Sequence, residues 1–256
     1  MILLESCFDA KMLTVMNLSQ WERAALTRWG RYITTLEKQV LARAGRMMGQ
    51  PGVVFDFGCG EGRWTSLLRE QGWRAICGDV DEVALAKCAD RNPGCRCVKL
   101  TMGDNRFPVE DAAADLVLCI EVPGVLESAW FREETARVLK PGGMVVGIFH
   151  NRSSARGLLR AVLDKQGGQY CFYQMGFSPW SSRMRAVGLD IVHAEGLCWF
   201  PFGRMSNSPL IPASIFFERV FGLRSLPALS PWVAFIAVKS HTANANQVEL
   251  APKPSR

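Results

Sequence analysis

The 256-residue sequence has no uninterrupted apolar run of the roughly 18–20 residues that a membrane-spanning helix requires. Its first residues include Glu5 and Asp9 and do not follow the basic-then-apolar order of a secretory signal. No internal repeat with a period of roughly 20–50 residues is visible. We therefore expect a cytoplasmic protein without a transmembrane segment, and peripheral contact with a membrane stays compatible with this sequence.

The nine cysteines are scattered, and their number is odd. Cys95 and Cys97 form the only close pair, and no C-x-x-C motif occurs. Zinc sites and disulfide frameworks usually show regular, closely spaced cysteines. The spacing therefore predicts neither a metal site nor disulfides, and it favours a reducing compartment.

The charged residues form no dense block of lysine and arginine, although the formal net charge is +6. Acids and bases alternate along most of the chain, so we do not expect nucleic acid as a partner. Hydrophobic residues make up 48% of the chain, enough for one globular domain with a sizeable core.

The most informative stretch is residues 53–63, in which a run of β-formers meets glycines at every second position: Gly58, Gly60 and Gly62. Charged and helix-forming residues follow as far as residue 71. This order predicts a buried strand, a tight turn with positive φ, and the first turn of a helix. The free N–H groups at such a helix start favour an anionic or strongly accepting ligand, as in nucleotide-type cofactors.

The glycine spacing differs from that of dinucleotide-binding proteins, whose fingerprint is G-x-G-x-x-G. Together with Asp56, the stretch reads D-x-G-x-G-x-G and resembles motif I of the class I S-adenosylmethionine-dependent methyltransferases. The resemblance continues in register for roughly a hundred residues. It implies that S-adenosylmethionine is the cofactor and that this loop binds it, through the residues Asp56, Gly58, Cys59, Gly60 and Gly62.

Two further acidic positions match the family in order. Asp79 follows Gly58 by 21 residues, at the end of a second predicted strand, where a carboxylate reaches the ribose hydroxyls of a bound nucleoside. When the apolar pair Ala84-Leu85 is aligned with the family, Asp79 and not Asp81 matches the ribose-binding acid. Val80, the next residue, is a further candidate cofactor-binding residue. In the stretch 102–108, the resemblance makes Asp104 the acid that accepts from the adenine amine, with Asn105 as its neighbour.

Two residues at the ends of the next two predicted strands are candidates for contact with the molecule that accepts the methyl group. Glu121 ends the fourth predicted strand, where ligands bind in open α/β sheets. We expect it to touch the cofactor or the acceptor, and it is a candidate catalytic residue for proton transfer. Residues 137–149 resemble the family's R-V-L-K-P-G-G motif, which predicts a helix stop, a Pro-Gly-Gly turn and a buried fifth strand. His150 follows directly and is a candidate base if the acceptor is a hydroxyl.

The remaining regions predict the domain organisation. Residues 1–50 have helical periodicity and form either a helix on the sheet edge or a lid over the cofactor. Residues 51–240 form the methyltransferase domain, and the composition of residues 241–256 predicts a disordered tail. The aromatic insertion 198–230 either packs its rings within its own subdomain, caps an apolar acceptor pocket, or docks at a dimer or membrane surface.

The repeated strand and helix pattern predicts an α/β, doubly wound sheet with helices on both faces. The resemblance adds the seven-stranded Rossmann-like order 3-2-1-4-5-7-6 with an antiparallel last strand. It implies methyl transfer to a small-molecule, lipid or sugar acceptor, which we expect at oxygen. The alternatives are an RNA or protein methyltransferase, a non-enzymatic relative that binds the cofactor, and a nicotinamide dehydrogenase. The glycine spacing disfavours the last.

Overall fold

A computed structural model describes residues 18–122, 124–163 and 172–240 of the chain. Seven strands form one sheet with the order β3-β2-β1-β4-β5-β7-β6, and β7 runs antiparallel to both of its neighbours. The predicted fold class and strand order are confirmed. The strands are β1 (Val53–Phe57), β2 (Arg74–Asp79), β3 (Arg96–Lys99), β4 (Ala114–Cys119), β5 (Leu139–His150), β6 (Leu189–Leu197) and β7 (Trp232–Lys239).

Eight α-helices are present in the part of the chain that the structure describes. The helices are α1 (Gln20–Ala25), α2 (Arg28–Met48), α3 (Arg63–Glu70), α4 (Glu82–Arg91), α5 (Ala129–Val138), α6 (Ala155–Leu163), α7 (Phe177–Ala186) and α8 (Ile211–Val220). Short 3-10 helices cover Val125–Glu127 and Leu223–Ser225. Within the described residues, none of the helices has the length and apolar character that crossing a bilayer would require.

Side chains that alternate along the strands form two separate cores, one on each face of the sheet. Val54 belongs to the core that α2 and α3 cover, whereas its neighbour Phe55 belongs to the other core. On that second face, Phe131 of α5 and Trp180 of α7 are fully buried. Burial on both faces explains why the central strands are apolar almost throughout.

Three segments differ from the sequence-based expectation. The Pro-Gly-Gly segment does not precede β5 as a separate turn, because β5 already begins at Leu139 and contains Gly142 at φ 77° as part of a register shift against β4. Helix α6 was not predicted. The insertion contains α8 and packs on the N-terminal helix α2, where Trp29 and Phe202 have ring centroids 5.0 Å apart. The predicted tail, 241–256, lies outside the described residues.

The carboxyl ends of β1, β2, β4, β5 and β6 lie at the same edge of the sheet, here called the carboxyl edge. These strands are parallel to one another, since β5 and β6 both run opposite to β7. Trp232, the first residue of β7, pairs with His150 and with Leu197 and so lies at this edge too. Ligands bind at such an edge in open α/β sheets.

The Gly147→Ala variant tests the packing between β5 and β7. A Cβ at residue 147 would lie 2.7 Å from the Cys119 carbonyl oxygen and 2.9 Å from the fully buried Phe235 ring. We expect overpacking to lower the free energy of unfolding by about 1–3 kcal/mol in urea titrations. Gly45→Ala is the matched control, since its Cβ meets nothing within 4 Å and alanine stabilises a helix interior by about 0.5–1 kcal/mol. Equal effects of the two substitutions would contradict the packing described here.

Candidate functional site

The glycine loop turns sharply at the carboxyl end of β1. Gly58, Gly60 and Gly62 have φ values of 73°, 53° and 80°, which a side chain would strain. A Cβ at residue 58 would lie 2.3 Å from Val122, whereas a Cβ at residue 60 meets nothing within 4 Å. The loop therefore packs tightly on one side and presents bare backbone to open space at Gly60.

Asp79 is buried at the end of β2 and supports this loop. One carboxylate oxygen accepts from the Gly60 N–H at 2.7 Å, and the other accepts from the Asp81 N–H at 2.8 Å. Asp81 has a different role, because its side chain caps α4 by accepting from the N–H groups of Val83 and Ala84. Of the two acids that the sequence left open for the ribose, Asp79 is the one that contacts the loop.

Asp56 lies beneath the loop in the protein interior. Its carboxylate accepts from the Thr65 hydroxyl at 2.5 Å, and burial raises the pKa of Asp56 to about 7. A carboxyl group in this position stabilises the junction of β1 and α3 through Thr65. Its place in the glycine motif is therefore explained by a contact inside the fold.

Three buried thiols meet under the glycine loop, which the sequence did not predict. The sulfur atoms of Cys59, Cys77 and Cys88 all lie within 4.8 Å of one another. They come from the loop, from β2 and from α4, so their sequence spacing carries no sign of the grouping. Structural zinc sites take four ligands, and this group offers three among the described residues.

Asp104 and Asn105 are exposed on the loop that follows β3. Gly103 precedes them with φ 96°, and the Asp104 N–H donates to the Thr101 carbonyl at 3.1 Å. Because β3 is parallel to β2, this loop lies at the carboxyl edge, on the same side as Asp79 and the exposed Val80.

Four charged side chains form a buried network beside the loop, here called the charge network: Glu37, Arg63, Glu121 and Arg204. Glu37 of α2 has no exposed surface and pairs with Arg63 at 3.1 Å and with Arg204 at 3.4 Å. Glu121 pairs with the same two arginines, and its distance to Arg63 is 3.5 Å. The network connects the N-terminal helix, the start of α3, the segment after β4 and the insertion.

Trp21 of α1 lies over this network. Its ring centroid is 4.9 Å from the Arg204 guanidinium carbon and 5.9 Å from that of Arg63, both within cation–π range. Arg63 Nη1 and Arg204 Nε are buried without a hydrogen-bond partner. A buried donor without a partner is costly, so an acceptor placed beside either N–H group would stabilise the network.

Glu121 lies two residues beyond β4, not in the strand, and has an unusual φ of 60°. Its carboxylate faces the two arginines of the charge network. The structure therefore gives Glu121 a positioning contact with Arg63 and Arg204. Its role in catalysis stays a prediction.

His150 is buried among rings at the carboxyl end of β5. The ring centroids of Phe172, Tyr173 and Trp232 lie 4.7, 5.5 and 4.9 Å from the imidazole. Burial lowers the pKa of His150 to about 3, with a smaller contribution from the Arg156 charge. The expected base of near-neutral pKa is therefore not what this environment provides. The imidazole is neutral and weakly basic.

Sequence reasoning missed most of the residues around the two predicted acceptor-side positions. Glu37 and Arg204 are 167 residues apart, and nothing in their sequence neighbourhoods relates them. The three rings around His150 come from two further segments. Trp232 could have been noticed, because a residue that opens an antiparallel strand lies opposite the end of its partner.

Comparison with known proteins supports a methyltransferase. Residues 55–147 match the family model of a methyltransferase domain. A comparison with curated protein sequences gives no match. Among solved structures, geranyl diphosphate C-methyltransferase from Streptomyces coelicolor A3(2), crystallised with Mg²⁺, geranyl diphosphate and S-adenosylhomocysteine, is similar with a TM-score of 0.58 and 15% identity. The match covers 87% of this chain and 83% of that chain.

Two further structures have the same fold. The 1,6-didemethyltoxoflavin-N1-methyltransferase from Burkholderia thailandensis, with 1,6-didemethyltoxoflavin and S-adenosylhomocysteine bound, gives a TM-score of 0.52 at 18% identity, over 82% of each chain. An S-adenosylmethionine-dependent methyltransferase from Archaeoglobus fulgidus gives 0.51 at 17% identity, over 80% of this chain and 94% of that chain. The family match and the shared strand order agree with the glycine motif. Residues 55–147 therefore match a methyltransferase domain, and the chain has the fold of class I S-adenosylmethionine-dependent methyltransferases.

Proposed function

We propose that the protein transfers the methyl group of S-adenosylmethionine to a hydroxyl oxygen of an apolar, lipid-like small molecule. The observation that carries this proposal is the group of rings at the carboxyl edge: Phe172, Tyr173 and Trp232 around the neutral His150. Sites for small apolar ligands are lined by aromatic side chains with a few polar groups. Here the polar groups are the imidazole and the Tyr173 hydroxyl, which accepts from the Trp232 indole N–H at 2.9 Å.

The residues of the glycine loop fit S-adenosylmethionine. The open space beside Gly60 lets a ligand approach the backbone, and the unpartnered Arg63 Nη1 and Arg204 Nε suit a carboxylate such as that of the methionine part. Asp79 uses one lone pair of each oxygen for the loop and retains others for the ribose hydroxyls. We assign the ribose to Asp79 on this basis.

The adenine contacts follow from the loop after β3. We assign the adenine amine to Asp104, with Asn105 and Val80 beside the ring, because these residues are exposed at the same edge. Cys59, Gly58 and Gly62 shape the backbone of the turn. Asp56 and Glu121 act on the cofactor indirectly, through Thr65 and through the arginines of the charge network.

When bound, S-adenosylmethionine supplies a methyl group that its sulfonium charge already activates. The protein aligns the acceptor oxygen with the methyl carbon and the sulfur, and such alignment alone contributes roughly 7–11 kcal/mol to rate enhancement. The alkylated oxygen then becomes strongly acidic, so its proton passes to a weak base such as His150 or to water.

The N-terminal helices act as a lid in this proposal. Glu37 connects α2 to the cofactor loop through Arg63 and to the insertion through Arg204. Trp21 covers the arginines from α1. The segment 18–50 therefore closes the cofactor cleft of the domain that we place at residues 51–240.

All seven cysteines that the structure describes are free thiols. Five of the seven are buried. Free thiols persist in reducing compartments, which supports a cytoplasmic location for the catalytic domain.

The Asp79→Asn variant tests the ribose assignment, with Asp81→Asn as the matched control two residues away. Asparagine retains an oxygen for the Gly60 N–H but loses the charge that strengthens hydrogen bonds from ribose hydroxyls. We expect S-adenosylmethionine affinity to fall roughly 10- to 100-fold for Asp79→Asn and to change little for Asp81→Asn, measured by calorimetry. The assignment is wrong if Asp81→Asn causes the greater loss.

The Glu37→Gln variant tests the charge network. It removes one partner of a buried ion pair and leaves Arg63 and Arg204 incompletely compensated, so we expect the free energy of unfolding to fall by about 3–5 kcal/mol. Glu70→Gln, an exposed change on α3, is the control and should be neutral. Urea titration with circular dichroism measures both. A neutral Glu37→Gln variant would mean that the network does not hold the lid.

A methyl-transfer assay tests the acceptor. The enzyme is incubated with S-adenosylmethionine labelled at the methyl group and with three matched panels: long-chain and prenyl alcohols, apolar phenols, and the corresponding amines. We expect label in an ether product of one of the first two panels. In the Trp232→Ala variant we expect the acceptor KM to rise while the affinity for S-adenosylmethionine is unchanged, because Trp232 lies at the ring group.

Two results would contradict this proposal. Label found only in the amine panel would refute transfer to oxygen. Label found in RNA or protein, with all three panels unlabelled, would refute the apolar acceptor and favour the macromolecular alternative.

A further inference from the structure

Helix α8 buries two polar side chains beside Ile211 and exposes large apolar ones. Ser214 and Glu218 are buried, whereas Phe216 and Phe221, just after the helix end, are 62% and 66% exposed. Glu218 bonds inward to the Tyr32 hydroxyl. A surface helix of a soluble domain normally has the opposite arrangement. The outward side of α8 is therefore built for an apolar environment.

The exposed apolar surface extends from α8 to its neighbours. Leu226 and Leu229, on the segment that returns to β7, are 44% and 57% exposed. The Asn151 side chain donates to the Ala228 carbonyl at 2.9 Å and so holds this segment beside the start of α6, whose Leu158 is also exposed. We call this surface, formed by α6, α8 and the segment 221–229, the outer face.

The exposed charged side chains described on the outer face are positive. Arg152 and Arg160 on the α6 side and Arg219 on α8 are exposed. Among the described residues of 150–163 and 198–231, the only acid is Glu218, which is buried. Phenylalanine and leucine combined with arginine are typical of a surface that lies in the interface of an anionic bilayer.

The outer face begins at the carboxyl edge, where the proposed active site lies. Helix α6 follows β5 and His150 after a short turn, and the insertion begins directly after Leu197, so both leave the sheet at the carboxyl edge. Arg156 of α6 donates to the Phe200 carbonyl at 2.7 Å and joins the two parts of the face. A molecule leaving a bilayer against this face would therefore be close to the ring group.

We propose that the outer face docks on an anionic lipid bilayer and that the enzyme takes its acceptor from that bilayer; the second half of this statement rests on the proposed function. The positive charges decide between a bilayer and a second copy of the chain. A two-fold contact through this face would bring Arg219 and its neighbours close to the same residues of the partner, which like-charge repulsion disfavours. Anionic lipid headgroups carry the charge opposite to that of these arginines.

Vesicle co-sedimentation of the full chain tests the docking without cofactor or acceptor. We expect binding to vesicles of phosphatidylcholine with about 30% phosphatidylglycerol to exceed binding to phosphatidylcholine alone by more than about 10-fold, and to weaken in high salt. Phe216→Ser with Phe221→Ser should lower vesicle affinity about 10-fold or more. Arg219→Glu should lower it at least about 5-fold.

The matched controls are Met47→Ser and Arg46→Glu, which are exposed at the end of α2 near the opposite edge of the sheet. They should bind vesicles as the wild type does. All variants should retain wild-type affinity for S-adenosylmethionine in solution, which separates docking from cofactor binding.

Three outcomes would overturn the proposal: no binding of the wild type to anionic vesicles, equal losses in the control variants, or a dimer in sedimentation that the Phe216 and Phe221 substitutions dissociate. None of these would affect the proposed methyl transfer, which the labelled-methyl assay tests separately.

Discussion

The fully buried carboxylate of Glu37 constrains how the chain can close around its cofactor cleft. A charge without solvent must be paired, and among the described residues Arg63 and Arg204 pair with it. Arg63 immediately follows the glycine loop, and Arg204 belongs to the insertion. The pairing of the Glu37 carboxylate with both arginines therefore brings the N-terminal helix, the loop and the insertion together at the carboxyl edge.

The remaining features of the cleft follow from the same edge. Parallel strands deliver Asp79, Glu121 and His150 to one side of the sheet, and each enters a different environment. Asp79 is shared between backbone N–H groups, Glu121 lies between guanidinium groups, and His150 lies among rings. The surroundings of each side chain therefore limit its chemistry: Asp79 accepts hydrogen bonds, Glu121 pairs with arginines, and the imidazole of His150 is neutral.

Local patterns in the sequence predicted the loop, and the resemblance to the methyltransferase family supplied the strand order. Three positive-φ glycines after an apolar strand permit few alternatives, and Asp79 follows at a spacing that one strand and one helix impose. Glu121 and His150 were located at the correct edge, but their roles depend on partners far away in the sequence. Arg204 lies 83 residues from Glu121, and the pKa of His150 depends on rings from two other segments.

The exposed aromatic residues show a second limit of sequence patterns. Phe216, Phe217 and Phe221 are of a residue type that is common in protein cores. Their periodicity does not reveal which side of α8 faces solvent. That choice depends on Glu218, which the Tyr32 hydroxyl of α2 holds inside. The thiol group under the loop shows the same limit, since Cys59, Cys77 and Cys88 meet only through the packing of β2 and α4.

Calorimetric titration of the full chain with S-adenosylmethionine and S-adenosylhomocysteine, with NADH alongside, tests the central claim most directly. The glycine spacing, Asp79 and the unpartnered arginine donors predict that both sulfur ligands bind with a Kd on the order of micromolar, and that NADH does not bind. Absence of heat from both ligands, with circular dichroism showing a folded chain, or binding of NADH in their place, would contradict the assignment of this cleft.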